Sequence, residues 1–415
     1  MKTLFIGQTR FSLYIPNSMS WNLARSKSED EYMKALYADE RLGPRMDIFE
    51  NLSVPQLALA AEDHHVVHFV QYSSSLPEKY QTRLRALAEK YDFLELYVND
   101  SQVQHSELIN RAAKERLENE RGLVSFAWYR LDDDDILGKD FFKMAEPYVT
   151  PEHAGYVLSF GRGYTTVYMD GSLWDLRELY RPKTSVGQMY ICSFDSESGR
   201  FIEPPRQDHA QIDKWAPTIL DSRSTNFITM LHPNQDGHQR GGYAEAIGRI
   251  FREQQQLPLA SSTGAFSDAF PVIARSLQKE EDVVFDARGM SETQATQLGT
   301  EITELEFRGG GEFKEVEFAI RLPNAVLGER VFMGLRFDEG IPGDFDESKS
   351  RWKKYGKDIL VIGFPVKALV QQRVVVEPEL TQREPKLIFW HSKGLANETV
   401  LLEFVKTRGA SLSAD

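Results

Sequence analysis

The amino-acid sequence predicts an α/β fold, a mainly parallel sheet with helices packed on it, joined to a second, all-β domain of sandwich type. Three observations carry this expectation. Residues 3–150 alternate short apolar runs of buried-strand character with amphipathic helical runs, the pattern of a parallel sheet crossed by helices. The densest charge, Asp132-Asp133-Asp134-Asp135, follows directly on one of those apolar runs, at the strand edge where open α/β sheets take their ligands. Beyond about residue 300 helical spacing gives way to short strands separated by turn signals. The expected division is a first domain over 1–255, a connecting segment over 256–298 and a β-rich domain over 299–410.

Taken in order, residues 4–7 form the first strand. A long, charged, helical insertion over 17–62 follows, closed by Val54-Pro55, and an insertion of that length beside a strand end builds a pocket wall or an acceptor surface. The second strand is 66–72. Ser75-Leu76-Pro77-Glu78 combines a capping box with an early proline, and Tyr80, Leu84, Leu87, Ala88 and Tyr91 then recur at helical spacing. A third strand over 93–98 ends at Asn99-Asp100, and a helix over 106–120 and a fourth strand over 123–129 lead into the acidic run. Runs at 156–160 and 164–169, flanking Gly161-Arg162-Gly163, predict a hairpin. Another strand is expected at 189–194, and the break at Gly241-Gly242 opens a helix reaching Gln254. Residues 257–298 are polar and mixed and yield no assignment. Seven strands then follow, at 302–307, 313–322, 331–337, 359–364, 373–376, 386–390 and 400–405.

With 415 residues, 41% of them apolar and 11% aromatic, the chain can bury a large core and is not a disordered polymer. Its net charge of -13, with acidic and basic residues interleaved, argues against nucleic acid as a partner, because counterion release needs a basic face. A nucleotide diphosphate stays compatible, since a divalent ion and a few arginines supply positive charge locally. The single cysteine, Cys192, excludes an intrachain disulfide, suits a reducing, cytoplasmic setting and reads as a structural thiol. No signal-peptide pattern and no run of about 20 apolar residues is present, so contact with a membrane-borne acceptor is expected to be peripheral at most.

Four adjacent carboxylates repel one another and are costly to hold together without a cation. Hard ions such as Mn2+ and Mg2+ take carboxylate oxygens. A sugar diphosphate gathers negative charge as its glycosidic bond breaks, and a bridging divalent ion stabilises that charge. Asp-x-Asp spacing at a strand mouth therefore lets two carboxylates hold one ion between protein and diphosphate. An ordinary solvated turn is the competing reading. Against it stand the apolar strand before the run and the helix start Ile136-Leu137-Gly138-Lys139-Asp140-Phe141-Phe142 after it.

At these residues the sequence resembles a known group. A strand, the run Leu131-Asp132-Asp133-Asp134-Asp135-Ile136-Leu137 and then Asp140-Phe141-Phe142 are similar to the metal-binding corner of GT-A-fold glycosyltransferases. The closer resemblance is to the bacterial putative rhamnosyltransferase family, in which an Arg-x-Asp-Asp-Asp-Asp segment, here Arg130 to Asp135, is typical. Gln8-Thr9-Arg10-Phe11-Ser12, Arg41-Leu42 with Arg45, Phe49-Glu50 before Pro55, and His232-Pro233-Asn234 match as well, so the resemblance spans residues 1–250. The chain departs at Val54-Pro55-Gln56-Leu57, where the family has Pro-Ser-Leu, and the region after 300 lies outside the resemblance. What it implies is a GT-A-like, Rossmann-type mixed sheet and a metal-dependent enzyme of bacterial polysaccharide biosynthesis. Such an enzyme moves rhamnose or another hexose from a nucleotide-diphosphate sugar, such as dTDP-rhamnose, to a glycan or lipid-linked glycan acceptor.

Carried onto this sequence, the resemblance implies that Asp132 and Asp134 hold Mn2+ or Mg2+ and the diphosphate, with Asp135 orienting the donor sugar or standing behind it. The alternative register, Asp133 and Asp135, stays open. Thr9 and Arg10 would meet the nucleotide and Asp100 its base, while Arg130 would face the diphosphate or neutralise its aspartate neighbours. His232 is a further candidate ligand for metal or phosphate and also reads as a satisfied core histidine. His238 fits no zinc spacing, and His64, His65 and His68 lack ligand partners and read as structural. An inverting transfer needs a general base. Among Asp195, Asp208 and Asp213 the choice is Asp208, which follows Pro204-Pro205 and opens an expected helix beside His209, although it also reads as a helix N-cap.

Two readings from other classes compete: a non-catalytic carbohydrate- or Ca2+-binding protein with a lectin-like β domain, and a metal-dependent phosphohydrolase. The βαβ order with Thr9-Arg10 favours a nucleotide site over the first, and the lack of spread His and Asp ligands counts against the second. Donor base, acceptor, stereochemistry and oligomeric state, a homo-oligomer included, stay open at this point.

Overall fold

A computed structural model describes residues 2–15, 28–100, 105–169, 171–235, 243–260, 264–277, 281–287, 296–307, 314–322, 326, 328–348 and 350–409. The chain forms two compact units. The first comprises Met1–Gly171, Leu176–Gly237 and Ala260–Arg275, and the second Ser172–Asp175, His238–Leu259 and Ser276–Asp415.

In the first unit β1 (Leu4–Arg10) is buried almost throughout, as a strand covered on both faces must be. Helix α1 (Glu29–Leu36) starts with a capping box between Ser28 and Glu31. Helix α2 (Asp39–Ile48) contains Pro44, whose missing N–H leaves the Glu40 carbonyl without its in-helix donor. The Asn234 side chain donates to that carbonyl instead, at 2.6 Å. A π turn, Phe49–Ser53, leads into α3 (Val54–Ala61) and then β2 (His65–Tyr72). Helix α4 (Glu78–Lys90) buries Tyr80, Leu84 and Leu87 as their spacing requires. The expected capping box is not formed there: the N-cap is Pro77, and Ser75 instead shares a hydrogen bond with Tyr37, 2.8 Å long.

The chain continues through β3 (Leu94–Val98), α5 (His105–Leu117), β4 (Leu123–Arg130), β5 (Asp135–Leu137), α6 (Phe141–Ala145), β6 (Val157–Met169), β7 (Ser172–Tyr180), β8 (Met189–Asp195), β9 (Arg200–Ile202) and β10 (Thr218–Leu231). After α7 (Tyr243–Gln254), a second-unit helix, α8 (Gly264–Ala269) and α9 (Pro271–Ser276) return to the first unit. Among the described residues the strands make one sheet in the order β3-β2-β1-β4-β8-β6-β10-β5, with β7 beside β6 and β9 beside β8. The β3, β2, β1 and β4 strands are mutually parallel, and β8 is antiparallel to β4. This is the mixed α/β sheet expected. Gln8 pairs with Arg130, so the carboxyl ends of β1 and β4 open side by side where the run of four parallel strands meets the antiparallel β8. The one thiol, Cys192, lies wholly buried in β8 among Phe126, Trp128 and Phe194.

A second expectation fails at β6. The hairpin at 156–169 is a single strand, β6, paired along its length with β10. Its glycines serve close approach and not a turn: a Cβ on Gly161 would stand 2.4 Å from Ser222 Oγ, and one on Gly163 would stand 2.5 Å from the Phe227 ring.

The second unit is a β-sandwich. Its strands are β11 (Glu281–Asp286), β12 (Thr296–Leu298), β13 (Thr303–Leu305), β14 (Lys314–Arg321), β15 (Arg330–Arg336), β16 (Lys353–Tyr355), β17 (Ile359–Pro365), β18 (Leu369–Val376), β19 (Lys386–His391) and β20 (Val400–Gly409). One antiparallel sheet runs β11-β20-β14-β18 with β12 on β20, and the other runs β13-β19-β15-β17-β16. Val316, Phe318 and Ile320 of β14 alternate inward against Val331, Met333 and Leu335 of β15 and Leu387 and Phe389 of β19. Glu315 and Glu317 take the other face, where Arg373 and Arg408 pair with them. All seven expected strands form; β11, β12 and β16 are additions.

Candidate active site

The acidic run is a tight turn between β4 and β5, closed by the Asp135 N–H on the Asp132 carbonyl at 3.2 Å. A relay of hydrogen bonds anchors it. Thr9 Oγ1 donates to the Leu131 carbonyl at 2.8 Å, so its oxygen receives the Nε2–H of His68 at 2.9 Å, and His68 Nδ1 in turn accepts from the Tyr129 hydroxyl at 3.0 Å. Burial takes His68 down to about 3, so the ring is neutral, as this relay needs. Gly7 makes room for the relay: a Cβ there would sit 2.2 Å from His68 Nδ1. Thr9, expected at the nucleotide, therefore spends its hydroxyl on holding β1 to the acidic turn.

The four aspartates point into different surroundings. Arg130 grips Asp132 with both arms, Nε to Oδ1 and Nη2 to Oδ2 at 3.0 Å each. Arg10 stands near this pair; burial and then the Arg130 charge lower it to about 10, against the pull of Asp132. Asp133 and Asp134 are buried and turn toward α2, where Arg45 pairs with Asp133 and lies 3.5 Å from Asp134 Oδ2. Burial raises the Asp133 carboxyl to about 6, and its Oδ2 has no hydrogen-bond partner among the described residues. Burial also works against the charge on Asp134, but Arg45, His232 and Gln235 outweigh it and hold that carboxyl low. Asp135 is raised well above the ordinary range by burial, then by Asp134 and Asp132. Its backbone carbonyl accepts from Ser53 Oγ at 2.8 Å, a contact that the π turn makes possible.

His232 follows β10 and is 1% exposed. Its Nε2 lies 3.3 Å from Asp134 Oδ2, off the hydrogen-bonding line, and Nδ1 has no hydrogen-bond partner among the described residues. Gln235, three residues further, donates to the same oxygen: Nε2 to Asp134 Oδ2 at 2.9 Å. Neighbouring ligands of one divalent ion stand about 3 Å apart when each bond is a little over 2 Å. The Asp134 oxygen and the His232 nitrogen fit that description as a pair. Among the described residues no third His, Cys, Asp or Glu joins them.

A cleft of about 210 Å3 opens at Arg130, lined by Gln8, Trp128, Arg130 and Tyr190 of the sheet, by Ser185 and Gln188 just before β8, and by residues 206–209. Asp208 lines it as the N-cap of the short helix His209–Lys214, its Oδ1 accepting from the Ala210 N–H at 3.1 Å. The expected N-cap and the expected cleft carboxylate are thus the same residue. Asp100 ties the ends of β2 and β3, its Oδ1 accepting from the Ser74 N–H at 2.8 Å. Beside it a buried amide chain, Asn99 to Gln71 to Gln8, crosses the ends of β3, β2 and β1 at 2.9 Å per step. His238 lies outside the described residues.

Comparison with known proteins settles the family. A family model described as putative rhamnosyl transferase matches residues 5–243, more than half of the chain. The chain belongs to this family. Membership makes it a glycosyltransferase, and the acidic turn, His232 and the cleft all fall inside the matched span. No curated protein matches. Among solved structures, S. aureus TarS 1-349 in complex with UDP-GlcNAc is 13% identical, over 65% of this chain and 69% of that one, with a TM-score of 0.25. A Bacillus anthracis putative glucose-1-phosphate thymidylyltransferase in complex with a sucrose is 9% identical, over 63% and 97%, also with a TM-score of 0.25.

Sequence reasoning on this family member assigns no role to Arg45, Ser53 or Gln235. Arg45 lies within the matching Arg41-Leu42 segment, which is a signal. Gln235 sits three residues after His232, a spacing that carries no signal until the turn His232–Gln235 is seen, closed by the Gln235 N–H on the His232 carbonyl at 3.1 Å.

Proposed function

We propose that this glycosyltransferase moves rhamnose or a similar hexose from a nucleotide-diphosphate sugar to a glycan hydroxyl, with a divalent metal ion and with inversion at the anomeric carbon. The observation that carries the reading is the adjacency of two different chemistries at one charged pair. Arg130, which pairs with Asp132 of the acidic turn, lines the Asp208 cleft, and the same turn carries Asp134 beside His232.

In this mechanism Asp134 and His232 would hold Mn2+ or Mg2+. When bound, the ion supplies positive charge against the diphosphate leaving group. Arg10 at the end of β1, with Arg130, adds guanidinium charge where the nucleotide diphosphate lies, and Asp100 at the end of β3 accepts from the nucleobase. Asp133 and Asp135, both buried, contribute shape and hydrogen bonding to the donor sugar. Asp208 takes the acceptor hydroxyl's proton as that oxygen bonds to the anomeric carbon and the bond from that carbon to the diphosphate breaks. Its Oδ2 is clear of the capping bond, which uses Oδ1. No helix among the described residues is long and apolar enough to cross a membrane.

The test is a thermal-shift series with dTDP, UDP and GDP, each with and without Mn2+, on wild type, Asp134→Asn, His232→Ala and Asp208→Asn. One nucleotide should stabilise the wild type only with metal, and that response should vanish in the first two variants and persist in the third. With the matching donor and an acceptor, Asp208→Asn should lower the transfer rate about 100-fold or more. A folded wild type without a metal-dependent nucleotide response would overturn the reading.

A further inference from the structure

The cleft beside the acidic turn holds donors that the protein itself does not use. Trp128, 5% exposed, lies flat on Tyr190, with ring centres 4.0 Å apart and planes within 4°. The Arg206 guanidinium stands 4.9 Å from the Trp128 ring centre. Trp128 Nε1 and Arg206 Nη1 are both buried and both lack a hydrogen-bond partner among the described residues. Arg206 engages Glu203 through Nη2 alone, at 3.1 Å. Buried N–H groups left unpaired carry a standing cost that a ligand with oxygen acceptors removes. A guanidinium arm beside an indole N–H matches the paired oxygens of a carboxylate or phosphate better than a single hydroxyl.

The other charged groups of the lining fit the same picture. Arg130 has both arms on Asp132, and Asp208 is an acceptor that requires a hydroxyl from its ligand. We infer that this cleft receives the acceptor, and that the acceptor unit is an acidic sugar: its carboxylate or phosphate lies on Arg206 and Trp128 while one of its hydroxyls faces Asp208. The inference rests on the transferase reading above and names its second substrate. Arg206 and Trp128 are then the residues that select the acceptor, and neither takes part in the bond changes.

Calorimetric titration of the full chain with D-glucuronic acid, D-glucose 6-phosphate and methyl β-D-glucopyranoside tests this. One of the two anions should bind about tenfold or more tightly than the neutral glucoside, and the better of the two tells carboxylate from phosphate. Arg206→Gln should abolish that preference, and Trp128→Phe should reduce it. Equal binding of all three probes, binding of neither anion, or an undiminished preference in Arg206→Gln would overturn the inference. The wild-type ranking decides between these outcomes even if a variant misfolds. Running the metal and nucleotide series on the same sample separates the two claims. A nucleotide response without anion preference defeats only the acidic acceptor, whereas anion preference without a nucleotide response defeats the transferase reading.

Discussion

Asp133 and Asp134 are consecutive, yet their surroundings drive them apart: burial lifts one to about 6, and Arg45, His232 and Gln235 overcome burial to keep the other charged. Four carboxylates on one turn are tolerated because two arginines, Arg45 and Arg130, come from different elements to meet them. The residue that anchors the turn, His68, makes a sharper prediction. Its folded value of about 3 lies below the ordinary 6.5, so the unfolded chain takes up the proton first. The stability this gives is complete above pH 6.5 and is lost as pH falls from there toward 3. Between pH 7 and pH 5 the wild type should lose roughly 2 kcal/mol more than His68→Gln in urea unfolding. Parallel losses in both proteins would mean that His68 is not held neutral by the fold.

At the scale of elements, what is legible in the sequence follows periodicity. Tyr80, Leu84 and Leu87 mark one face of α4, and the alternation of Val316, Phe318 and Ile320 with Glu315 and Glu317 marks the faces of β14. The misreading at Gly161 and Gly163 has a physical source, since glycine marks turns and close contacts alike and only the partner strand tells them apart. Gly163→Ala should cost about 1–3 kcal/mol in urea unfolding, because its Cβ meets the Phe227 ring and backbone carbonyl, 2.5 and 2.6 Å away. Gly43→Ala in α2, with nothing within 4 Å, should be neutral or gain up to about 1 kcal/mol. Equal effects at both positions would refute this account of β6. Of the candidate site, the acidic run and His232 are legible because strand, charge and spacing lie close in sequence. The Arg45–Asp133 and Gln235–Asp134 contacts join positions 88 and 101 residues apart, and no local pattern encodes them.

Across the whole molecule the two units interleave in sequence. Residues 238–259 belong to the second, and 260–275 return to the first, where Phe266 and Phe270 pack edge-on to Tyr164. Composition changes smoothly through that stretch, so a sequence reading meets a segment without character where the chain in fact crosses twice between cores. The β8 strand, antiparallel to β4 on one side and to β6 on the other, joins the four parallel strands of the first unit's sheet to the rest; it carries the chain's one thiol at zero exposure, and burial pushes that thiol well above its ordinary value. The protein thus contains a built-in clock for its own opening: a disulfide reagent should leave the native chain unmodified until this seam parts, and the labelling rate would then count those events without any engineered probe.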